Sequence, residues 1–97
     1  MPDLDRFIPY SEGVVAVGTA PVRIEAGPNG EAEIYVQSGA IRFTLDGKTT
    51  PTGVVGQLAE KGYSRRLSFI ESHAFRMVRD GDEATDATVY VRYYARR

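Results

Sequence analysis

Residues 41–52 read IRFTLDGKTTPT, and this stretch sets the class of the fold. In its first half every second side chain is apolar, which is the period of a β-strand with one face on the core. We therefore predict that Ile41, Phe43 and Leu45 are core residues. The Asp46-Gly47 pair then ends the alternation with residues typical of a turn. The stretch is predicted to be a strand followed by a turn.

The segment after this turn lacks a regular period. Pro51 cannot donate a hydrogen bond to a central strand ladder, and Gly53 and Gly56 follow closely. We predict that residues 48–56 form a loop or an irregular edge segment.

Alternation interrupted by turn-forming residues recurs along the chain and predicts further strands, at residues 14–18, 21–26, 32–38, 63–69, 74–79 and 87–94. The GPNG sequence at residues 27–30 favours a tight turn, so the strands on either side are expected to pair as an antiparallel hairpin. In the strand predicted at 63–69, Leu67 and Phe69 are expected to point inward. A short helical turn fits only at residues 57–61 or 71–74.

About seven to eight short strands with almost no helical period predict an all-β fold. We expect a single antiparallel β-sandwich, or a flattened barrel, over residues 13–97. Residues 1–12 are expected to form an extended N-terminal arm. Its side chains Phe7, Ile8 and Tyr10 are too apolar for a solvated tail, so they are predicted to contact another surface.

Composition restricts the classes of function. The 97 residues carry a formal charge of −1, which gives no overall field that attracts nucleic acid. There is no cysteine, so disulfides, thiol catalysis and cysteine-ligated zinc are excluded. No signal peptide or membrane-spanning segment is evident, and synthesis in the cytoplasm is expected.

Candidate catalytic and metal-binding residues are few. His73 stands beside Ser72, but no nucleophile-elbow pattern occurs, so a turn is favoured over a hydrolase triad. The acidic run DGDEATD at residues 80–86 does not have the spacing of a calcium-binding loop, and a solvated turn is favoured over a metal site. We predict no catalytic residue, no cofactor and no metal.

The strand at 87–94 predicts an interaction surface. If Val89 and Val91 face the core, the alternate side chains form an aromatic and basic stripe on the opposite face. Tyrosine and arginine are enriched in protein interfaces, and such a stripe can also stack on sugar rings. Ordinary cross-strand pairing on a solvated face is the competing interpretation. The predicted interface residues are Thr88, Tyr90, Arg92 and Tyr94, together with Phe7, Ile8 and Tyr10 of the arm.

The sequences AIRFTLDGKTTPTGVVGQLAEKG (40–62) and FRMVRDGDEATDATVYVRYY (75–94) resemble small virion proteins of tailed bacteriophages. The matching positions lie in three places: the turn, the penultimate strand and the last strand. The turn is one residue longer here than in that pattern. The matching residues are Asp46, Gly47, Pro51, Thr52, Phe75, Arg76, Asp86, Ala87, Thr88 and Tyr94.

This resemblance implies a virion structural protein, namely a capsid decoration or cement protein, made in the bacterial cytoplasm and located in the virion. The implied partners are copies of itself, as a homo-oligomer, and a major capsid protein or another virion protein. No nucleic acid, membrane or reaction is implied.

A second resemblance leads to an alternative function. IRFTLDGKTTPT is also similar to a strand of the immunoglobulin-like C-terminal domains of chitobiases, which are accessory sandwiches of larger enzymes. The chain departs from that pattern after Pro51. The alternative is a carbohydrate-binding or adhesion module in which the aromatic stripe would hold sugar rings.

Overall fold

The computed structural model describes the backbone of residues 7–24 and 30–96 and the side chains of residues 12–24 and 30–94. Within these residues the strands form two antiparallel sheets that pack face to face and are not closed. The predicted all-β sandwich is therefore confirmed, and the fold is not a barrel. The elements are β1 (Phe7–Val17), β2 (Val22–Arg23), β3 (Glu31–Ser38), β4 (Ala40–Thr44), β5 (Gln57–Glu60), β6 (Ser64–Leu67), α1 (Phe69–Ala74), β7 (Arg76–Arg79) and β8 (Ala87–Arg96).

The first sheet has the order β1-β8-β3-β6 and is organised around β8. Val89 and Val91 of β8 are buried and lie directly opposite Val36 and Ile34 of β3, which are also buried. The alternation of β8 thus places one face on the core and the other outward, as predicted for residues 87–94.

The second sheet has the order β2-β7-β4-β5. Ile41 and Phe43 of β4 are buried in the core, and Leu45 packs against it directly after the strand. The ring centroid of Phe43 lies 5.5 Å from that of Phe75 and 6.0 Å from that of Tyr63. The strand and turn predicted from residues 41–52 are confirmed.

The connection between β2 and β3 corrects the hairpin predicted around residues 27–30. β2 pairs with β7 in the second sheet, where Val22 lies opposite Met77, whereas β3 belongs to the first sheet. The chain therefore crosses between the sheets, and residues 25–29 of the crossing lie outside the described residues. A turn-forming sequence indicates a reversal, but the partner strand depends on which apolar faces are buried together, which is not a local property.

The helix α1 begins where the strand at residues 63–69 was predicted to continue. The Ser68 side chain accepts a hydrogen bond from the Glu71 amide, and the Glu71 carboxylate accepts one from the Ser68 amide, which forms a capping box. Phe69 is 44% exposed, so the prediction that it points inward is wrong: the capping box redirects the chain before that side chain. The helical turn predicted at 71–74 is confirmed, whereas residues 57–61 mainly form β5.

The N-terminal strand begins earlier than predicted. β1 starts at Phe7, so the boundary predicted at residue 13 falls inside a strand that pairs with β8 of the same chain. The backbone of residues 7–12 therefore pairs within the first sheet of the same domain. Residues 1–6 of the predicted arm lie outside the described residues.

The loop between β4 and β5 folds back across the outward face of the second sheet. Met77 packs in the core, so its neighbour Val78 points outward, yet Val78 is only 1% exposed. Pro51, in the middle of the loop, is also buried. The loop predicted at residues 48–56 is confirmed, and it shields the outward side of β7.

We call residues 48–56 the covering loop, and hydrogen bonds hold it in place. The Gly81 amide donates to the Gly53 carbonyl at 2.9 Å, and the Arg42 guanidinium donates to the Gly56 carbonyl at 3.1 Å. Arg42 also donates to the Asp80 carboxylate at 2.7 Å. The second sheet is therefore covered on both faces where the loop crosses it, although Leu58 of β5 stays exposed beyond the loop. The outward face of the first sheet is the larger open sheet surface among the described residues.

Replacing Phe43 with Ala should lower the free energy of unfolding by about 3–5 kcal/mol, because truncating a buried aromatic side chain leaves a cavity. Chemical denaturation measures the change. Leu58→Ala is the control, since Leu58 is exposed on the neighbouring strand β5 and its truncation should cost little. A loss below about 1 kcal/mol for Phe43→Ala would place Phe43 outside the core.

Replacing Gly53 with Ala should detach part of the covering loop. The added Cβ would lie 2.9 Å from the Gly81 Cα, so the two backbones must separate. We expect a loss of about 1–3 kcal/mol in the free energy of unfolding. Gly13→Ala is the matched control, because a Cβ there meets nothing within 4 Å. Equal stabilities of the two variants would show that the contact between Gly53 and Gly81 does not hold the loop.

Candidate protein-interaction surface

The structure places the predicted stripe of β8 on the outward face of the first sheet. Thr88, Tyr90, Arg92 and Tyr94 alternate with residues that face the core, and each is partly exposed. The stripe therefore lies on a central strand of the open sheet surface.

The predicted interface residues of the arm lie on the neighbouring strand β1. The backbone of Phe7 pairs with Arg96 and that of Ile8 with Ala95, and Tyr10 falls at the register shift between Pro9 and Ser11. The side chains of Phe7, Ile8 and Tyr10 lie outside the described residues. Their contact with another protein stays a prediction.

One residue from each strand of the first sheet forms a row of alternating charge. Glu12 of β1 lies directly opposite Arg92 of β8. Glu33 of β3 lies opposite Arg92 on one side and opposite Arg66 of β6 on the other. Arg92 Nε donates to the Glu12 carboxylate at 3.1 Å. We call Glu12, Arg92, Glu33 and Arg66 the charge row.

An adjacent row carries exposed apolar and aromatic side chains. Val14 lies opposite Tyr90, Tyr90 lies opposite Tyr35, and Tyr35 lies opposite Ser64. Val14 is 58% exposed and Tyr35 is 42% exposed. The two tyrosines stand side by side at the middle of the sheet. We call Val14, Tyr90, Tyr35 and Ser64 the tyrosine row.

Tyr94 and Thr88 bind neighbours within the same face. The Tyr94 hydroxyl donates to the Glu33 carboxylate at 3.2 Å, and the guanidinium carbon of Arg66 lies 4.1 Å from the centre of the Tyr94 ring. The second contact is a cation–π interaction. The Ser38 hydroxyl donates to the Thr88 hydroxyl at 2.8 Å. These contacts orient the side chains of the face before any partner arrives.

Contacts between Glu12, Tyr90 and Arg92 shift the pKa values of these three side chains. A hydrogen bond with the Tyr90 hydroxyl, followed by the Arg92 guanidinium, holds the pKa of Glu12 below its ordinary value. The same bond with Glu12 raises the pKa of Tyr90. Tyr94, then Tyr90 and Glu12, raise the pKa of Arg92. Glu12 and Arg92 therefore stay charged, and Tyr90 stays neutral, at any pH near 7.

Sequence reasoning missed half of this surface. Glu12, Glu33, Tyr35 and Arg66 were not predicted as site residues, although they face the same side as the predicted stripe. Alternation within residues 32–38 indicated which side chains of β3 share a face. It could not indicate that β3 and β1 flank β8, because strand order and register are not local properties.

His73 and Ser72 both bind the backbone of α1. His73 Nδ1 lies 2.8 Å from the Phe69 carbonyl oxygen, and the Ser72 hydroxyl donates to the same carbonyl at 2.9 Å. The two side chains thus contact the same backbone carbonyl rather than each other.

The acidic run at residues 80–86 is partly used in structural contacts. Asp80 binds Arg42, and the Asp86 carboxylate lies 3.3 Å from the Arg79 guanidinium. In the part of the chain that the structure describes, no cluster of three or more His, Cys, Asp or Glu side chains could hold a metal ion. Among the same residues, no helix has the length and apolar character needed to cross a bilayer.

A groove of about 460 Å³ lies beside the turn after β4. The Asp46 carboxylate at its rim accepts hydrogen bonds from the backbone amides of Lys48 and Thr49 at 2.9 and 2.8 Å and from the Thr49 hydroxyl at 2.6 Å. Both carboxylate oxygens are used by the turn itself. The groove is lined by Phe43, Thr44, Leu45, Asp46, Thr49, Gly56 and Gln57.

Comparisons of this chain with protein-family models, with curated proteins and with solved structures found no match.

The Asp46 turn predicts a specific dependence of stability on pH. Hydrogen bonds from the Thr49 side chain and backbone and from the Lys48 amide lower the pKa of Asp46 from an ordinary 3.8 to about 2. A carboxyl group with a lowered pKa stabilises the fold above its ordinary pKa, and this contribution is lost as the pH falls through the folded value. Denaturation midpoints of the wild type and Asp46→Asn should therefore differ above about pH 4 and converge towards about pH 2.

Asp82→Asn is the matched control for this measurement, because Asp82 is an exposed carboxylate in another turn. A difference between the wild type and Asp46→Asn that stays constant across the pH range would contradict the role of the Asp46 charge.

Proposed function

We propose that this chain is a structural protein of a tailed-bacteriophage virion, a capsid decoration or cement protein that acts through protein–protein contacts. Its partners are copies of itself and a major capsid protein or another virion protein. The proposed role involves no reaction.

The observation that carries the contact role is the outward face of the first sheet. It holds tyrosine and arginine side chains that are ordered by mutual contacts and remain partly exposed. Side chains that are already oriented lose less conformational freedom on binding. Tyrosine and arginine also contribute a large share of the energy in protein interfaces.

The covering loop supports this choice of surface. The outward face of the second sheet is occupied by residues of the same chain, with Pro51 and Val78 buried there. The two outward faces therefore differ: among the described residues, the loop covers part of the second face, whereas no loop crosses the rows of the first. A decoration protein needs one such defined surface in every copy, because weak contacts repeated around a shell add to a large total.

The assignment to a virion rests on the resemblance of residues 40–62 and 75–94 to small virion proteins of tailed bacteriophages. These segments supply β4, the covering loop and β5, and then β7 and β8. They therefore contain the covering loop of the second sheet and β8, a central strand of the first sheet.

The proposal is tested on phage particles from the bacterium that encodes the chain. Antibodies against the chain should detect it in density-gradient-purified particles, in a copy number comparable to that of the major capsid protein. Particles that contain the other virion proteins but lack this chain, while the chain stays in the soluble fraction, would contradict the proposal.

The contact surface is tested on particles made without the gene. We expect such particles to release DNA at a lower temperature, and purified chain should restore the wild-type temperature. Tyr90→Ala should fail to restore it, whereas Lys61→Ala should succeed because Lys61 is exposed in the turn between β5 and β6. Binding of an oligosaccharide on a glycan array, abolished by Tyr90→Ala, would instead favour the carbohydrate-binding alternative.

A further inference from the structure

The charge row has an order that makes it complementary to itself. Reading from β1 to β6, the signs are minus, plus, minus and plus, at Glu12, Arg92, Glu33 and Arg66. An alternating row with an even number of members gives the opposite sequence of signs when it is read in reverse. A second copy that presents the row in reverse order therefore opposes every charge with its opposite.

We propose that the outward face of the first sheet binds the same face of a second copy around a two-fold axis that runs parallel to the strands. This inference rests on the proposed function and specifies the partner and geometry of its self-contact. The axis exchanges the order of the strands, so β8 faces β3 of the second copy and β1 faces β6. Arg92 then faces Glu33 of the second copy, and Glu12 faces Arg66.

The charges distinguish this axis from the other simple two-fold arrangement. An axis that runs across the strands, level with the charge row, keeps each strand opposite its own copy and places Glu12 opposite Glu12 and Arg92 opposite Arg92. Like charges in contact oppose association. Only the axis parallel to the strands pairs all members of the row favourably.

The tyrosine row fits the same axis. Tyr90 of one copy faces Tyr35 of the other, and the reverse pair forms beside it. Both tyrosines lie on the central strands, so the aromatic contacts fall in the middle of the interface, where binding energy concentrates. At the edges Val14 faces Ser64, which places no charge against an apolar side chain.

The register of the sheet keeps both rows intact. The register shifts lie between Pro9 and Ser11 of β1 and between Val36 and Ser38 of β3. Glu12 and Val14 follow the first shift, and the β3 members of both rows precede the second. The two rows thus occupy the regular part of the sheet, where side chains repeat at constant spacing.

The face is the size of a small interface. β3 has eight residues and faces β8, whereas β6 has four and faces β1, so about 24 strand positions overlap. At roughly 4.8 Å by 3.4 Å each, they give about 390 Å² of projected area per copy. Two copies together bury roughly 800 Å², which is in the range of a weak, reversible contact. The twist of each sheet rotates the facing strands by about 30°, so the central pairs align best.

The test uses sedimentation equilibrium of the purified full-length chain. The wild type should be a dimer. Arg92→Glu brings two carboxylates together at each of the two symmetry-related central contacts, and Glu33→Arg brings two guanidinium groups together there. Each single variant should therefore raise the dimer dissociation constant by at least about tenfold. Lys61→Glu and Glu60→Arg, which change the charge in the same directions at exposed positions in or beside the β5–β6 turn, should remain dimeric.

Mixing the two variants provides the decisive measurement. In a mixed dimer both central charge pairs are opposite again, so an equimolar mixture of Arg92→Glu and Glu33→Arg should form a heterodimer with near wild-type affinity. A change in folding within one chain cannot be repaired by adding the other chain. Loss of association without this rescue would overturn the proposed pairing, as would a monomeric wild type.

A variant that changes no charge tests the interface even if the charge variants fail to fold. Thermal melting first establishes that each variant folds. Tyr35→Ala removes a central aromatic contact from a partly exposed position and should also weaken the dimer by at least about tenfold. An unchanged dissociation constant for Tyr35→Ala would overturn the proposed geometry.

Different results would contradict the proposed dimer and the proposed virion role. A chain that is monomeric in solution but present in purified particles would remove the two-fold contact and leave the proposed function standing. A dimer with the predicted charge rescue that is absent from particles would leave the contact standing and remove the virion role.

Discussion

The ion pair between Arg42 and Asp80 is the contact on which the asymmetry of the sandwich depends. Arg42 lies on β4 and Asp80 directly follows β7, so the pair links the end of one strand to its neighbour and the same guanidinium holds the covering loop through Gly56. The Asp82 amide and then Arg42 lower the pKa of Asp80, so its carboxylate is charged at neutral pH. Removing either partner would leave a largely shielded charge unpaired, which is more damaging than the absence of both.

The covering loop limits where the proposed partner can bind. An antiparallel sandwich ordinarily presents two outward faces with mixed polar side chains. Here residues 48–56 occupy one of them and bury Val78, which would otherwise be an exposed apolar residue in the middle of a sheet. The remaining face carries the tyrosine row and the charge row. The position of the proposed interaction surface thus follows from how the other sheet is covered.

Sequence reasoning succeeded where one strand or one turn contains the whole signal. The strict alternation of Ile41 and Phe43 and of Val89 and Val91 predicted two core strands, and Pro51 predicted the loop. Phe69 was placed wrongly because the capping box of Ser68 and Glu71 ended the strand, although that spacing was visible in the sequence.

The parts that could not be predicted depend on pairing between distant segments. The Asn-Gly signal at residues 27–30 suggested a hairpin, but β2 pairs with β7, about 55 residues further along the chain. The charge row likewise depends on pairing between distant strands. Glu12 of β1 lies beside Arg92 of β8, and Glu33 of β3 lies between Arg92 and Arg66 of β6. Each member looked like an ordinary charged residue, and only the strand order gave the row its alternating sign.

Alternating charge suits a surface that must recognise one arrangement rather than attract partners over a distance. The fields of neighbouring opposite charges roughly 4.8 Å apart cancel within a few ångströms of the surface. The formal charge of the whole chain, −1, adds little at long range. The charge row therefore does not attract a second copy over a long distance. At contact, opposite charges face each other in the proposed alignment, whereas a displacement by one strand would bring like charges together. Electrostatic interactions of this kind contribute more to the choice of register than to affinity, and the affinity must come from the aromatic contacts of Tyr35 and Tyr90 at the centre.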